Sequence, residues 1–208
     1  ILSHLACADV EDGPKSQLQL AEFDELMQAR PSQLKSVPLS LANSAGVLLG
    51  PSYHYDLSRV GIGLYGGNPF SDRGNPFSPV VKLETEILKI TRLEAGETVS
   101  YGSTWQAERP SVIATIGVGY ADGFIRAGGL NGVVVVGGKK APIVGRVTMD
   151  LMMVDVTDLV PDGVSEGDMV ELLGDKVTVE HLADRAGTIG YEILTALGSR
   201  YQRRYIGG

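Results

Sequence analysis

The sequence predicts an α/β segment over residues 1–78, followed by a mainly antiparallel β domain over residues 79–208 with two short helices. Three observations predict this fold class. The first segment alternates short apolar runs with one amphipathic helical pattern. Residues 68–79 are rich in proline, glycine, asparagine and serine, which is typical of a domain boundary. Beyond them, tight turns separate short β-type runs, which favours a small barrel or sandwich.

One helix and three short strands are predicted in the α/β segment. Pro14 suits the first turn of a helix because its fixed φ is already helical, and apolar residues recur at helical spacing from there almost to Pro31. The first apolar run would end near His4, which places that side chain at the end of a strand. The predicted helix covers residues 14–29, the strands cover residues 1–5, 37–41 and 59–65, and a polar turn covers residues 9–13.

Ser44 and the glycine-containing segment 61–63 suit a phosphate group. In parallel α/β sheets, ligands bind at the carboxyl ends of the strands, where loops expose backbone N–H groups. Small residues let an anion approach those groups closely. A plain turn is the alternative at both places, and neither signal decides the matter alone.

The β domain begins with an alternating pattern over residues 81–87, where apolar or β-branched residues stand between charged ones. This is the period of a half-solvated antiparallel strand. Thr178 and Thr188 suit the starts of two helices, and Gly187 and Gly198 suit their ends. Further strands are predicted over residues 112–118, 133–136, 143–147, 152–156 and 169–173, turns at 137–140 and 161–163, and helices over 179–186 and 189–197.

Tyr101 is the candidate acid or base of the chain. Ser100 and Gly102 flank it with small side chains in a predicted loop, so the phenol can come close to a ligand. A free phenol has a pKa of about 10, so a base at neutral pH needs neighbours that favour the phenolate by roughly 4 kcal/mol. The alternative is a half-buried tyrosine bonded to a backbone group, which is the more common situation.

Composition excludes several classes of protein. The net charge of −7 argues against a nucleic-acid partner, because phosphates repel an acidic surface. No apolar run reaches the roughly 18 residues of a membrane span. One cysteine, Cys7, and no secretory signal favour the cytoplasm, and no metal site is predicted. Because Ile1 stands in an apolar run, we expect the chain to begin inside a structural element of a longer protein.

Seven short segments carry a resemblance to a known family. They are HLACAD at 4–9, ANSA at 42–45, RVGIGLYG at 59–66, VSYG at 99–102, GYADG at 119–123, GRVTMD at 145–150 and YE at 191–192. In this order they resemble the alanine racemases, enzymes of fold type III that use pyridoxal 5′-phosphate. The resemblance covers nearly the whole chain.

The resemblance implies a (β/α)₈ barrel followed by a β domain, in a head-to-tail homodimer whose active sites take residues from both subunits. This chain would hold the later barrel strands. The implied reaction interconverts L- and D-alanine by proton transfer with two acid/base groups, which supplies D-alanine for peptidoglycan. The lysine that binds the cofactor would precede Ile1, so these residues alone would be inactive.

The resemblance also implies residue roles. Arg59 would donate to the pyridine nitrogen, and because arginine keeps its proton, that nitrogen stays unprotonated and the ring is a weaker electron sink. His4 would lie against the ring. The cofactor-binding residues implied are His4, Ser44, Arg59, Gly61, Ile62 and Tyr191, and those holding the phosphate are Ser44, the amides of Gly61 and Ile62, and the Tyr191 hydroxyl.

For the substrate, the resemblance implies that Tyr101 of the other subunit moves the α-proton, with His4 and Arg59 as candidates to support its phenolate. Tyr120 and the Met149 backbone would contact the substrate carboxylate or frame its entrance. Asp9, Arg126 and Arg146 would line the entrance.

Two alternative functions remain open from the sequence. The first is a dimerisation or interaction module without chemistry, which the absence of the family's cofactor lysine from these residues favours. The second is the same enzyme class with another substrate, such as serine or a broader set of amino acids, because one small group on a substrate changes discrimination by only about 1–3 kcal/mol.

Overall fold

The computed structural model describes residues 1–10, 13–70 and 73–207, which fall into two compact units, Ile1–Val80 and Val81–Gly208. The predicted polar turn at 9–13 and the predicted boundary at 68–79 lie partly outside the described residues. The predicted domain limits at residues 78 and 79 stay a prediction, because compactness within one chain does not test independent folding.

In the described part of the first unit there are two α-helices, α1 (Pro14–Gln28) and α2 (Ser44–Leu48). The predicted helix over 14–29 is therefore confirmed as α1, with Ala29 as its C-cap. α1 packs through Phe23, whose ring meets that of Tyr55 edge to face at 5.1 Å. α2 was not predicted, although Asn43 is a strong N-cap residue and its side chain accepts a hydrogen bond from the Gly46 N–H at 2.8 Å.

The strands predicted at 1–5 and 37–41 are reduced to one parallel bridge between Leu2 and Ser40. The Ser3 N–H donates to the Ser40 carbonyl at 3.1 Å, and the Ser40 N–H donates to the Ile1 carbonyl at 3.0 Å. An apolar run in a sequence indicates that its residues are buried. A β-strand also needs a neighbouring strand that pairs along its length, and these segments pair only at one bridge.

The strand predicted at 59–65 is wrong. Its second half is a 3₁₀ turn over Ile62–Tyr65, which ends at Gly66 with φ of 77°. A Cβ at Gly66 would lie 2.3 Å from the Ser78 carbonyl oxygen, so both the positive φ and the close contact require glycine. The glycines at 61 and 63 thus mark a turn rather than a buried strand.

The second unit is built on a closed antiparallel barrel in the strand order β1-β4-β7-β6-β5-β8. This confirms the prediction of a small β barrel. The interior is lined by fully buried side chains such as Ile116, Val134, Met152, Val154 and Leu172. The strands are β1 (Leu83–Leu93), β4 (Ser111–Ile116), β5 (Val133–Val136), β6 (Lys139–Val144), β7 (Met152–Asp155) and β8 (Met169–Leu173), and β2 (Thr98–Val99) and β3 (Trp105–Gln106) form a separate hairpin.

One strand boundary needs correction. β6 begins at Lys139, whereas residues 137–140 were predicted as a turn and the strand was predicted over 143–147. Lys139 pairs with Val136, so the loop contains only Gly137 and Gly138, with φ of 56° and 81°. Two residues of positive φ form the hairpin turn that matches strand twist, which explains so short a loop.

Helices α3 (Val179–Ala186) and α4 (Gly190–Ala196) follow the barrel. The Thr178 cap is confirmed, because its hydroxyl accepts from the His181 N–H, and Gly187 ends α3 in the left-handed conformation. The predicted cap at Thr188 is wrong, because its hydroxyl donates to the Glu192 carboxylate and Ile189 is the N-cap. Gly198 also does not end α4, whose C-cap is the extended Leu197.

α3 and α4 pack on the barrel around a small apolar cavity lined by residues that include Leu83, Phe124, Leu173, Leu182 and Ile193. Among the described residues, no helix combines the length and apolar character that a membrane crossing requires.

Candidate active site

Ser44 is the centre of the predicted phosphate site in the first unit. It is the first residue of α2, and it is only 2% exposed. Its hydroxyl oxygen accepts from the Gly61 N–H at 3.0 Å and from the Gly63 N–H at 3.2 Å. Because two donors occupy the oxygen lone pairs, the hydroxyl proton is left to donate to an acceptor such as an anion.

The backbone around Gly61 leaves room for such an acceptor. A Cβ built on Gly61 would meet no atom within 4 Å, and the residue is exposed. Ile62 follows as the first residue of the 3₁₀ turn, where a backbone N–H has no partner within the turn. The structure thus brings together the predicted phosphate ligands Ser44, Gly61 and Ile62.

His4 lies between two donors at the edge of this cluster. Its Nδ1 is 3.3 Å from Arg59 Nη2, and its Nε2 is 3.3 Å from Asn43 Nδ2. A neutral imidazole accepts through only one nitrogen, so one of these two contacts at most is a hydrogen bond at a time. Both contacts lie at the ring edge, and the residue is exposed. This arrangement leaves the ring faces for packing against a flat group.

Arg59 is fixed by oxygen acceptors. Its Nη1 donates to Ser40 Oγ at 2.6 Å, and its Nη2 donates to the Ser3 carbonyl at 2.7 Å. Ser40 is buried, and its own hydroxyl donates to the Leu57 carbonyl at 2.6 Å. The guanidinium therefore keeps one orientation, with further N–H groups left for a ligand.

Ser40 and Asn43 are positioning residues that the sequence prediction missed. Ser40 is a polar residue inside the apolar run 37–42, and such a residue needs a partner when it is buried. Asn43 directly precedes a predicted ligand, Ser44, and belongs to a residue type that caps helices. Both signals were present in the sequence.

Tyr101 lies in the turn Tyr101–Ser103 of the β2–β3 hairpin. The predicted loop position is confirmed, and at 74% exposure the phenol is not half-buried. Ser100 and Ser103 both have positive φ, at 65° and 46°, although neither is glycine. Such backbone costs on the order of 1 kcal/mol per residue and is common at functional sites. The catalytic role of Tyr101 stays a prediction.

Arg146 lies beside this turn. A Cβ on Gly102 would be 3.2 Å from Arg146 Nη1, so the guanidinium packs against the residue after Tyr101. The Ser100 hydroxyl donates to the Arg146 carbonyl at 2.7 Å. Arg146 therefore supports the tyrosine turn, and its predicted role at the entrance stays a prediction.

Tyr120 and Met149 lie on adjoining turns. The Tyr120 N–H donates to the Thr148 carbonyl at 3.1 Å, and the Ala121 N–H donates to the Met149 carbonyl at 2.9 Å. A Cβ on Gly119 would lie 2.3 Å from both carbonyl oxygens, so only glycine permits this approach. The structure thus brings the two predicted substrate-binding residues together.

Tyr191 is the second residue of α4 and is half-exposed. Asp9 and Arg126 are exposed on turns. The role of Tyr191 at the phosphate and the entrance roles of Asp9 and Arg126 stay predictions. Among the described residues, no three or more histidine, cysteine or acidic side chains cluster in a way that suits a metal ion.

Two family models match the chain. One describes the alanine racemase C-terminal domain and matches residues 80–205, and the other describes the alanine racemase N-terminal domain and matches residues 1–69. The chain is 47% identical over 208 residues to alanine racemase of Methylobacterium nodulans and 47% identical over 207 residues to that of Rhodospirillum rubrum. It covers 55% and 54% of these two relatives, and each match spans 100% of the chain.

Solved structures give the same result. Alanine racemase from Bartonella henselae, whose crystal structure contains covalently bound pyridoxal phosphate, matches with a TM-score of 0.90 and 41% identity. Biosynthetic alanine racemase from Pseudomonas aeruginosa matches with a TM-score of 0.87 and 40% identity. Each match covers 99% of this chain and 56% of the solved chain, so the chain spans about half the length of these proteins. By sequence and by fold, this chain belongs to the alanine racemase family.

Proposed function

We propose that the full-length protein containing these residues is an alanine racemase, which interconverts L- and D-alanine with pyridoxal 5′-phosphate. The observation that carries the proposal is the donor cluster of the first unit, where Ser44, Ile62 and Arg59 present hydroxyl, amide and guanidinium groups. Family membership supports this proposal as well. An interaction module without chemistry does not need hydroxyl, amide and guanidinium donors in such an arrangement.

The residues present fit this cofactor. A phosphate would accept from the Ser44 hydroxyl and from the Ile62 N–H, next to Gly61, where a Cβ would find open space. The Gly61 N–H, which the resemblance also assigns to the phosphate, donates to Ser44 Oγ in this structure. A flat ring would pack against His4, and Arg59 would donate to its nitrogen. When bound, pyridoxal phosphate supplies an electron sink for the negative charge left at Cα after proton removal. Arg59 does not give up a proton, so it keeps that sink weak.

Tyr101 would move the α-proton on one face of the substrate. Its phenol is exposed at the tip of a turn, and the Arg146 guanidinium packs beside that turn. Inversion needs a second acid/base group on the other face, and the family resemblance assigns that role to a lysine outside these residues. Tyr120 and the Met149 backbone would hold the carboxylate.

The remaining parts of the proposal rest on family likeness. The first unit would belong to a (β/α)₈ barrel, with domain limits at residues 78 and 79. A head-to-tail homodimer would bring Tyr101 of one subunit to the Ser44 cluster of the other. Cys7 is a free thiol, and we place the protein in the cytoplasm on that ground.

The test is a racemisation assay on the purified full-length protein. Loaded with pyridoxal phosphate, it should convert either alanine enantiomer to an equal mixture, and the cofactor-free protein should not. L-serine should react with a kcat/KM at least about tenfold lower, since one extra small group is worth 1–3 kcal/mol. Absence of D-alanine from the loaded protein would refute the proposal, whereas a comparable rate on serine would change only the substrate.

A further inference from the structure

Arg200 joins the two turns that carry Tyr120 and Met149. Its Nε lies 3.2 Å from Asp122 Oδ1, and its Nη1 lies 2.8 Å from Asp150 Oδ1. The Asp122 residue is buried, whereas Arg200 and Asp150 are partly exposed. One guanidinium thus bridges two carboxylates from different turns. We call these three residues the Arg200 network.

Each carboxylate belongs to one of the turns. Asp122 accepts the Gly119 N–H at 2.9 Å through Oδ2, and it lies two residues after Tyr120. Asp150 directly follows Met149. The turns contact one another through the hydrogen bonds of the Tyr120 and Ala121 amides, so the Arg200 network adds an ionic connection to a backbone one.

The segment around Arg200 is itself fixed to the first of these turns. The Gly198 N–H donates to the Asp122 carbonyl at 3.2 Å, and Arg203 Nη2 donates to the Gly198 carbonyl at 3.1 Å. Burial and the nearby Asp122 raise the pKa of Tyr201 to about 12, so this phenol is neutral. Within the Arg200 network one guanidinium faces two carboxylates, and these carboxylates would repel each other without Arg200.

We propose that Arg200 is a positioning residue for the substrate carboxylate: by bridging Asp122 and Asp150, it fixes the Tyr120 side chain and the Met149 backbone relative to each other. This inference rests on the proposed function, in which those two residues contact the carboxylate. Arg200 also offsets negative charge beside a site that takes an anion. Its loss should therefore weaken substrate binding in the ground state and in the transition state alike.

The test compares Arg200→Met, Arg200→Lys and the control Arg204→Met in the full-length protein loaded with pyridoxal phosphate. Arg204 is exposed on the same segment. In Arg200→Met, the KM for alanine should rise by about tenfold while kcat changes by less than about threefold, the pattern of lost uniform binding. Hydrogen exchange at the Tyr120 and Ala121 amides should become faster. Arg200→Lys should show smaller changes, because lysine keeps the positive charge although it lacks the planar fork that bridges two carboxylates. Arg204→Met should match the unaltered protein.

An Arg200→Met protein with unchanged KM and unchanged amide exchange would overturn the inference, even if its melting temperature fell. If Arg200→Met does not fold, the same two measurements on Arg200→Lys decide. The two hypotheses fail separately. An unaltered protein without racemase activity would refute the proposed function, and amide exchange would still test whether Arg200 fixes the turns.

Discussion

At the scale of single residues, Ser44 shows how one hydroxyl can serve both structure and binding. It accepts from two backbone N–H groups that come from a different part of the chain, and it is almost completely buried. The same contacts orient its remaining proton. Structural and binding roles can therefore be separated only by measuring both.

Ser44→Ala should lower the free energy of unfolding and also weaken cofactor binding. Removing the acceptor leaves the Gly61 and Gly63 N–H groups without it, which costs about 1–2 kcal/mol. Losing a hydrogen bond to an anionic phosphate should raise the dissociation constant of pyridoxal phosphate by about 10- to 100-fold. Urea unfolding and a cofactor titration of the full-length protein measure the two effects.

The control for this variant is Ser52→Ala, which removes an exposed hydroxyl from the turn Pro51–Tyr53 and should change neither quantity. A Ser44→Ala protein that is less stable but binds the cofactor normally would assign Ser44 a structural role only.

At the scale of elements, the turn at residues 119–123 is positioned by backbone contacts that exclude side chains. Gly123 has φ of 95°, and a Cβ there would lie only 1.9 Å from the Ala196 carbonyl oxygen at the end of α4. The turn that carries Tyr120 is therefore held against α4, which carries Tyr191. A substitution at Gly123 should therefore displace the turn that carries Tyr120, helix α4, or both.

Gly123→Ala should be strongly destabilising. A second variant, Gly163→Ala, separates the cost of the positive φ from the cost of the steric clash. Gly163 has nearly the same φ, 92°, but a Cβ there would meet nothing within 4 Å. We expect Gly163→Ala to lower the unfolding free energy by about 1 kcal/mol through the backbone alone. Gly123→Ala should lose at least about 2 kcal/mol more, because the clash forces α4 or the turn to move. Equal losses in urea unfolding would show that the contact is unimportant.

Helix α3 contributes a pH dependence through His181. Its Nε2 is buried and has no hydrogen-bond partner in the part of the chain that the structure describes. Burial, with Lys140 and Arg185 nearby, lowers the pKa of this histidine below its usual 6.5. Because the unfolded chain then binds the proton more tightly, the free energy of unfolding should fall as the pH drops below about 6.5.

His181→Gln should reduce this loss of stability at low pH, since glutamine does not titrate. Urea unfolding at several pH values between 7.5 and about 5, a range that brackets an ordinary histidine, measures the slopes. Identical slopes in the two proteins would remove His181 as the cause.

At the scale of the whole molecule, the barrel was predictable because its strands carry local signals. Val133–Val136 is a β-branched run, and turn glycines separate it from its partner. The turn at residues 61–66 was mistaken for a strand because periodicity reports burial and cannot show whether a partner strand is present. Arg200 was not foreseen, since its two carboxylate partners lie far away in sequence. Ion pairs between residues so distant in sequence are visible only in the folded structure.

In the proposed function, the two units have different roles. The first carries the donors for the cofactor around Ser44 and Arg59, and the second carries Tyr101 and the turns for the substrate carboxylate. The central claim is that Tyr101 is the acid/base group for one face of the substrate. A change at this residue should therefore affect one enantiomer's α-proton and spare the other's.

The most direct test is solvent exchange of the α-proton in ²H₂O, measured by NMR on separate L- and D-alanine samples with Tyr101→Phe in the full-length, cofactor-loaded enzyme. Racemisation should fall by about 10²- to 10⁴-fold, the usual contribution of a general acid/base group. Exchange should be lost for one enantiomer and persist for the other, while the control Tyr205→Phe, at a residue 89% exposed, should behave normally. Exchange that persists for both enantiomers, or is lost equally for both, would contradict the assignment.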